Sequence, residues 1–289
     1  MSLCFFVSDL HGNPNRYLKL FDLIVSEKPT GVFIGGDILP SGLYSFTADH
    51  LVPEDFINDF LGKNLTKLKK SMADLYPQFF VIMGNDDAKV YEPFLLELDR
   101  QNLINYVHDQ KVTFGEFIIY GYANVPPTPF RLKDWERYDV SRYVDPGCVP
   151  PEEGSFTVEV DKKYLPFMTI KKDLEKLTAN DDLSNSIFLF HTPPYKTNLD
   201  RAGLDGKFYE HVPLDVHVGS IAVERFIKER QPLITLHGHI HESTSITGEW
   251  KDKINNTLAM NAAHNGPELS LIRFDPEDIK TCFLELITC

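Results

Sequence analysis

The sequence predicts an α/β fold with a parallel sheet, and three observations carry that reading. Two apolar runs flank a helical segment at the N-terminal end, short β-type runs crowd the middle of the chain, and five apolar runs end in metal-binding residue types. Leu3-Cys4-Phe5-Phe6-Val7-Ser8 has the composition of a buried strand. The turn Asp9-Leu10-His11-Gly12-Asn13-Pro14 then opens an amphipathic helix, with Pro14 suited to its first turn. Gly31-Val32-Phe33-Ile34-Gly35-Gly36-Asp37 is the next strand. Strand, helix and strand make a βαβ unit, whose right-handed crossover sets the strands parallel. Asp9 and Asp37 then share one carboxyl edge, where open α/β sheets place their ligands.

Residues 41–77 form a long connection, helical from Pro53 to Leu75, before a third strand at Gln78–Met83 that ends in Gly84-Asn85-Asp86-Asp87. Short strands at Ile104–Val107, Lys111–Phe114 and Phe117–Tyr122 suggest that a second sheet begins there. Residues 123–160 break the pattern with six prolines, and set Trp135, Tyr138 and Tyr143 among Arg131, Lys133, Arg137 and Arg142. Two readings stand side by side: a proline-stiffened surface loop pinned by its aromatics, or a cap over a substrate pocket. As a cap it would offer Arg131, Lys133 and Trp135 to grip a substrate. A helix over Thr169–Leu177 precedes strand Ser186–Phe190, which ends at His191, and Ser220 stands as N-cap of a helix running to Glu229. Thr257–Asn261, Leu269–Phe274 and Lys280–Ile287 read as further strands.

The 289 residues fit two small domains or one large α/β core, and 43% hydrophobic with 25% charged residues is an ordinary globular balance. A formal net charge of -13 disfavours long nucleic acid, whose binding depends on Lys and Arg releasing counterions. Small anionic substrates stay open, because a bound cation can dominate the local charge. Cys4, Cys148, Cys282 and Cys289 form no Cys-x-x-Cys pair, so reduced thiols in a cytoplasm are expected. Leu3–Val7 is too short for a signal sequence, and no run approaches the ~18 apolar residues of a spanning helix, so no membrane is expected.

The strand ends converge on one chemistry. His237-Gly238-His239-Ile240-His241 follows the apolar run Pro232–Leu236, and imidazole is the commonest transition-metal ligand. In order the chain offers Asp9-x-His11, Gly36-Asp37, Gly84-Asn85, His191 and Gly238-His239-x-His241. This series resembles the calcineurin-like metallophosphoesterase family. The resemblance implies a single domain over 1–289, with insertions at about 41–77 and 123–160, folded as a four-layer α/β/β/α sandwich with two central mixed sheets. It also implies a dinuclear site at the sheet edge: Asp9, His11, Asp37 and His241 on one metal, Asp37, Asn85, His191 and His239 on the other, with Asp37 bridging. Such mixed oxygen and nitrogen donors suit manganese, iron or zinc, divalent or trivalent. The implied reaction is phosphoester hydrolysis by a hydroxide shared between the cations, without a phosphoenzyme.

The departure is Asp86, where well-known family members carry histidine. A carboxylate beside phosphate is repulsive unless protonated and cannot replace an imidazolium. This points to a phosphodiesterase on small or nucleotide-like substrates rather than a Ser/Thr phosphoprotein phosphatase; a non-catalytic metal-binding scaffold of the same fold is the alternative from another class. His217, ahead of Ser220 at a helix N-terminus, is a candidate substitute proton donor, and Asn85 and Ser220 are candidate substrate contacts. His237 is expected to be structural, His264 to lie in a polar turn, and His50, His108 and His211 to be ordinary surface or loop histidines.

Overall fold

Strands buried on both faces organise the molecule, whose structure, a computed structural model, describes residues 2–40 and 55–289. Cys4–Val7 (β1) and Gly31–Gly35 (β2) are buried at every position and pair in parallel, as their unbroken apolar runs require. Between them Pro14–Glu27 (α1) is capped by the Asn13 side chain, which accepts from the amides of Asn15 (3.0 Å) and Arg16 (3.3 Å). The helix ends where Lys28 turns left-handed and its amide donates to Ile24 O at 2.9 Å. It buries Tyr17, Leu20, Phe21 and Ile24, the spacing of one helical face.

The connection that follows enters the described residues as a π-type turn, Phe56–Gly62, running into Lys63–Met72 (α2), so the expected helix is present over that part. Gln78–Ile82 (β3), Glu92–Arg100 (α3) and Asn105–Tyr106 (β4) come next, then Lys111–Phe114 (β5), Phe117–Tyr122 (β6), Ile170–Thr178 (α4) and Ser186–Phe190 (β7). A small hairpin, Phe208–Tyr209 (β8) with Val212–Pro213 (β9), precedes Ile221–Arg230 (α5), Ile234–His237 (β10) and Ser243–Thr247 (α6). Lys251–Ile254 (β11), Thr257–Asn261 (β12), Leu269–Phe274 (β13) and Phe283–Ile287 (β14) complete the chain.

The strands form two mixed six-stranded sheets, in orders β14-β13-β1-β2-β3-β4 and β11-β12-β10-β7-β6-β5. Alternation along β7 shows the layering: Ile187 and Leu189 join the core shared with the first sheet, while Phe188 and Phe190 join Phe226 and the apolar faces of α4 and α5. The four-layer sandwich is therefore present. One boundary moves: β4 pairs with β3, so Ile104–Val107 closes the first sheet and the second begins at β5. Helix α3 and strand β11 were not anticipated. The sequence of β11, Lys-Asp-Lys-Ile, is that of a polar edge strand with no apolar run to reveal it. Among the described residues no helix is long and apolar enough to cross a membrane.

His108 is not a surface histidine. Its Nδ1 accepts from the Ala123 amide at 3.1 Å and its ring sits edge-on to Trp135, while burial, with Lys89 and Arg137 nearby, pulls its pKa down to about 3. The unfolded chain therefore protonates this residue near pH 6.5 and the folded chain does not, so stability is lost as pH falls below that point. For this one group the slope is at most ~1.4 kcal/mol per pH unit. Unfolding titrations between pH 6.5 and 4.5 should show a shallower loss for His108→Gln than for the parent; parallel slopes would contradict it.

Candidate metal centre

Each proposed donor stands just beyond the carboxyl end of a strand. Asp9, Asp37 and Asn85 follow the adjacent parallel strands β1, β2 and β3, while His191 and His239 follow the adjacent parallel strands β7 and β10. The loops of the first sheet are laced together by backbone bonds: Asp9 N to Gly36 O at 3.0 Å, His11 N to Asp37 O at 2.8 Å and Gly12 N to Ile38 O at 3.0 Å. The second sheet reaches across to them. The His239 amide donates to Asp9 Oδ2 at 3.1 Å, and a Cβ on Gly238 would collide with Ser8 Oγ and Asp9 Oδ2, which is why glycine precedes the histidine.

Asp9, His11, Asp37 and His241 each present a ligand atom, all within 4.8 Å of one another. His241 Nε2 lies 3.0 Å from Asp9 Oδ1 and 3.2 Å from His11 Nε2. Beside this group, His191 Nε2 lies 3.3 Å from Asp37 Oδ2 and 3.0 Å from Asn85 Oδ1, and the His191 and His239 rings are 5.2 Å apart. The Nδ1–H of His191 donates to Gly35 O at 2.8 Å, which fixes the tautomer and leaves Nε2 facing the carboxylate. Asp9, His11, Asp37 and His239 all have positive φ, 56, 46, 50 and 71°. For side-chain-bearing residues this conformation is disfavoured, and such strain collects at functional sites.

The electrostatics fit a cation. Burial opposes charge on every group here, yet the carboxylates of Asp37 and Asp9 raise His191 to about 9. Asp86, with Asp37 and Asp9, likewise outweighs burial at His11 and raises it to about 9. In return, against burial, the imidazoles hold Asp9 and Asp37 below the ordinary carboxylate range. His239 goes the other way: burial, with His191 beside it, pulls it down to about 3, so it stays neutral and able to donate a lone pair. Carboxylates that draw protons onto neighbouring imidazoles form a centre that takes up positive charge, and metal ions supply that charge without the protons.

Asp86 is at the centre: its amide donates to Asp37 Oδ1 at 2.8 Å and its half-exposed carboxylate lies 3.4 Å from His11 Nδ1. His217 pairs through Nδ1 with fully buried Asp200 at 2.7 Å and faces the ring of Tyr195; neither partner is in the cluster. Ser220 is the N-cap of α5, accepting from the Val223 amide at 3.0 Å, but the anion at that helix terminus is Asp139. Its Oδ2 accepts from Ile221 N at 2.7 Å and its Oδ1 from Ser220 Oγ at 2.5 Å, so no phosphate is needed there. Lys133 and Trp135 are fully buried, Lys133 against Glu136 and Trp135 with its indole N–H on Asp87 O at 2.8 Å. Neither is open to a substrate. Arg131 stays exposed. His237 is structural as expected, held by Thr192 O and Thr235 Oγ1 and stacked on Phe190; His264 pairs with Glu268, His211 is exposed, and His50 lies outside the described residues.

A two-sheet sandwich with carboxylate and imidazole donors gathered at one edge is the architecture of a metal-dependent hydrolase. The chain belongs to the calcineurin-like phosphoesterase family, whose model matches residues 4–243. This family uses a dinuclear divalent metal site to hydrolyse phosphoesters. Among solved structures, TT1561 of Thermus thermophilus is similar at 15% identity and a TM-score of 0.54, covering 99% of this chain and 98% of that one. A dimetal phosphatase from Danio rerio is similar at 12% identity and a TM-score of 0.50, covering 94% and 91%. At these identities the likeness is one of fold. No curated protein matches the chain in sequence.

Proposed function

We propose that the chain is a phosphodiesterase acting on small or nucleotide-like substrates. Asp9, His11, Asp37 and His241 would hold one metal and Asp37, Asn85, His191 and His239 a second, with Asp37 shared. Bound there, two metal ions would polarise phosphoryl oxygens and lower the pKa of an attacking water. The observation that carries the diester preference is Asp86, whose carboxylate stands 3.4 Å from His11 where an imidazole is the family pattern. A monoester carries close to two negative charges at neutral pH and a diester one, so a carboxylate at the centre repels the monoester more. It also cannot lend a proton to a poor leaving group as an imidazolium would. Asp86 instead steadies the His11 ring at Nδ1, opposite the Nε2 that faces His241, the pattern of a carboxylate backing a ligand histidine.

His217 completes the proposal as a proton donor, supported by the buried carboxylate of Asp200 that fixes its Nδ1. Asp200 also accepts from the amides of Lys196 (3.0 Å), Thr197 (3.1 Å) and Gly219 (3.2 Å), so it folds the loop after His191 as well as holding the ring. Manganese-loaded protein assayed on matched aryl mono- and diesters should favour the diester. Asp86→His should shift the ratio towards the monoester by about tenfold, the weight of ~1.4 kcal/mol. An unchanged ratio would remove Asp86 as its cause, and no hydrolysis of any ester at full metal loading would favour a binding scaffold.

A further inference from the structure

The carboxylate next to Asp86 has a different task, and we propose that Asp87 is a positioning residue that holds two of the three donor-bearing loops of the first sheet, those after β2 and β3, in register, backed from outside by Trp135. This rests on the metal assignment above. Asp87 is 0% exposed. Its Oδ1 accepts from Leu39 N at 2.8 Å, and its Oδ2 accepts from Ile38 N at 3.1 Å and from Gly84 N at 2.8 Å. Ile38 and Leu39 directly follow Asp37, and Gly84 directly precedes Asn85. One side chain thus ties the loop after β2 to the loop after β3, immediately beside a donor in each.

Something must do this, because β2 ends at Gly35 and β3 at Ile82, and beyond them no ladder satisfies those amides. Asp37 is also held at a φ of 50°, a conformation that persists only where surrounding bonds impose it. Gly84 must come close for the same reason: a Cβ there would collide with Asp37 Oδ1 and the Asp37 amide.

The outer support comes from the proline-rich segment. Trp135, fully buried, donates its indole N–H to Asp87 O at 2.8 Å, and Lys89 Nζ lies over the indole at 4.4 Å. Its neighbour Asp134 accepts from the Lys89 amide at 2.8 Å and from the Thr157 amide at 2.9 Å. Residues 134 and 135 therefore grip the loop after β3 at its backbone, on both sides of Ala88. The segment braces the centre through these bonds; it does not reach the substrate through Lys133 or Trp135.

Two variants test the inference. Asp87→Asn keeps the size but turns one oxygen into an amide NH2 facing backbone N–H donors; Trp135→Phe keeps an aromatic ring at this buried position but removes the N–H together with the pyrrole part of the indole. Calorimetric titration of metal-free protein with Mn²⁺ should show affinity ~10–100-fold weaker for Asp87→Asn, the range for supports of metal ligands, and several-fold weaker for Trp135→Phe. Amide hydrogen exchange in the metal-free proteins should quicken at Ile38, Leu39 and Gly84, while β12 keeps its protection. Should Asp87→Asn fail to fold, Trp135→Phe carries both readouts. Unchanged Mn²⁺ affinity and unchanged exchange at those amides would overturn the inference. Parent protein that takes up no Mn²⁺ would instead overturn the metal assignment, and the exchange data would still decide whether Asp87 and Trp135 hold the loops.

Discussion

Asp37→Asn should leave a folded protein that loses hydrolysis by ~10³-fold or more, equivalent to ~4 kcal/mol of transition-state stabilisation, together with tight metal uptake. The expectation follows from position. Asp37 is buried between both donor groups, with Oδ2 3.3 Å from His191 and its carboxylate within 4.8 Å of the ligand atoms of Asp9, His11 and His241. Removing its charge leaves Asp9 as the one carboxylate of the proposed ligand set, while the hydrogen-bonding shape is nearly kept. Metal content after dialysis, measured beside kcat/KM on an aryl phosphodiester, checks it. A variant with more than about a tenth of parental turnover and unaltered metal content would show that Asp37 does not bridge.

Lys133→Met should be the most destabilising of the changes considered outside the centre, by about 3–5 kcal/mol. Lys133 and Glu136 are both 0% exposed, their charged atoms 2.5 Å apart, with Lys133 Nζ also donating to Thr128 O at 2.8 Å. Burial pushes the Glu136 carboxyl up to about 7 despite the lysine, and pulls the lysine down. Methionine in place of Lys133 would strand that carboxylate in the interior, a larger cost than losing the pair as a whole. Denaturant unfolding should show the loss, and adding Glu136→Gln should recover more than half of it. A single variant within ~1 kcal/mol of the parent would contradict a buried ion pair. Because the pair brackets Trp135, its loss should also loosen the brace on Asp87.

The donor series was legible in the sequence because parallel strands leave their carboxyl ends on one side, and Asp9, Asp37, Asn85, His191 and His239 all sit just past an apolar run. The tertiary roles of polar residues were not. Asp87 looks like a continuation of Gly84-Asn85-Asp86, and only Ile38 and Leu39, 49 and 48 residues away, reveal what its oxygens do. Ser220 was legible as an N-cap, yet the carboxylate that fills the helix terminus comes from Asp139, 82 residues before Ile221. Lys133 and Trp135 had the composition of a substrate clamp; the i, i+3 spacing of Lys133 and Glu136 was the available hint that the charge was already matched. The positive φ angles at Asp9, His11, Asp37 and His239 had no sequence signal, since they are imposed by bonds between loops of different strands.

On the proposed assignment, donors that follow five strands cage a pair of ions. The most direct test of that assignment is elemental analysis of protein reconstituted with manganese and dialysed, paired with turnover before and after chelation. About two ions per chain, with hydrolysis lost on chelation and regained on reloading, is the predicted result; protein that retains no metal, or hydrolyses equally well without it, would contradict it.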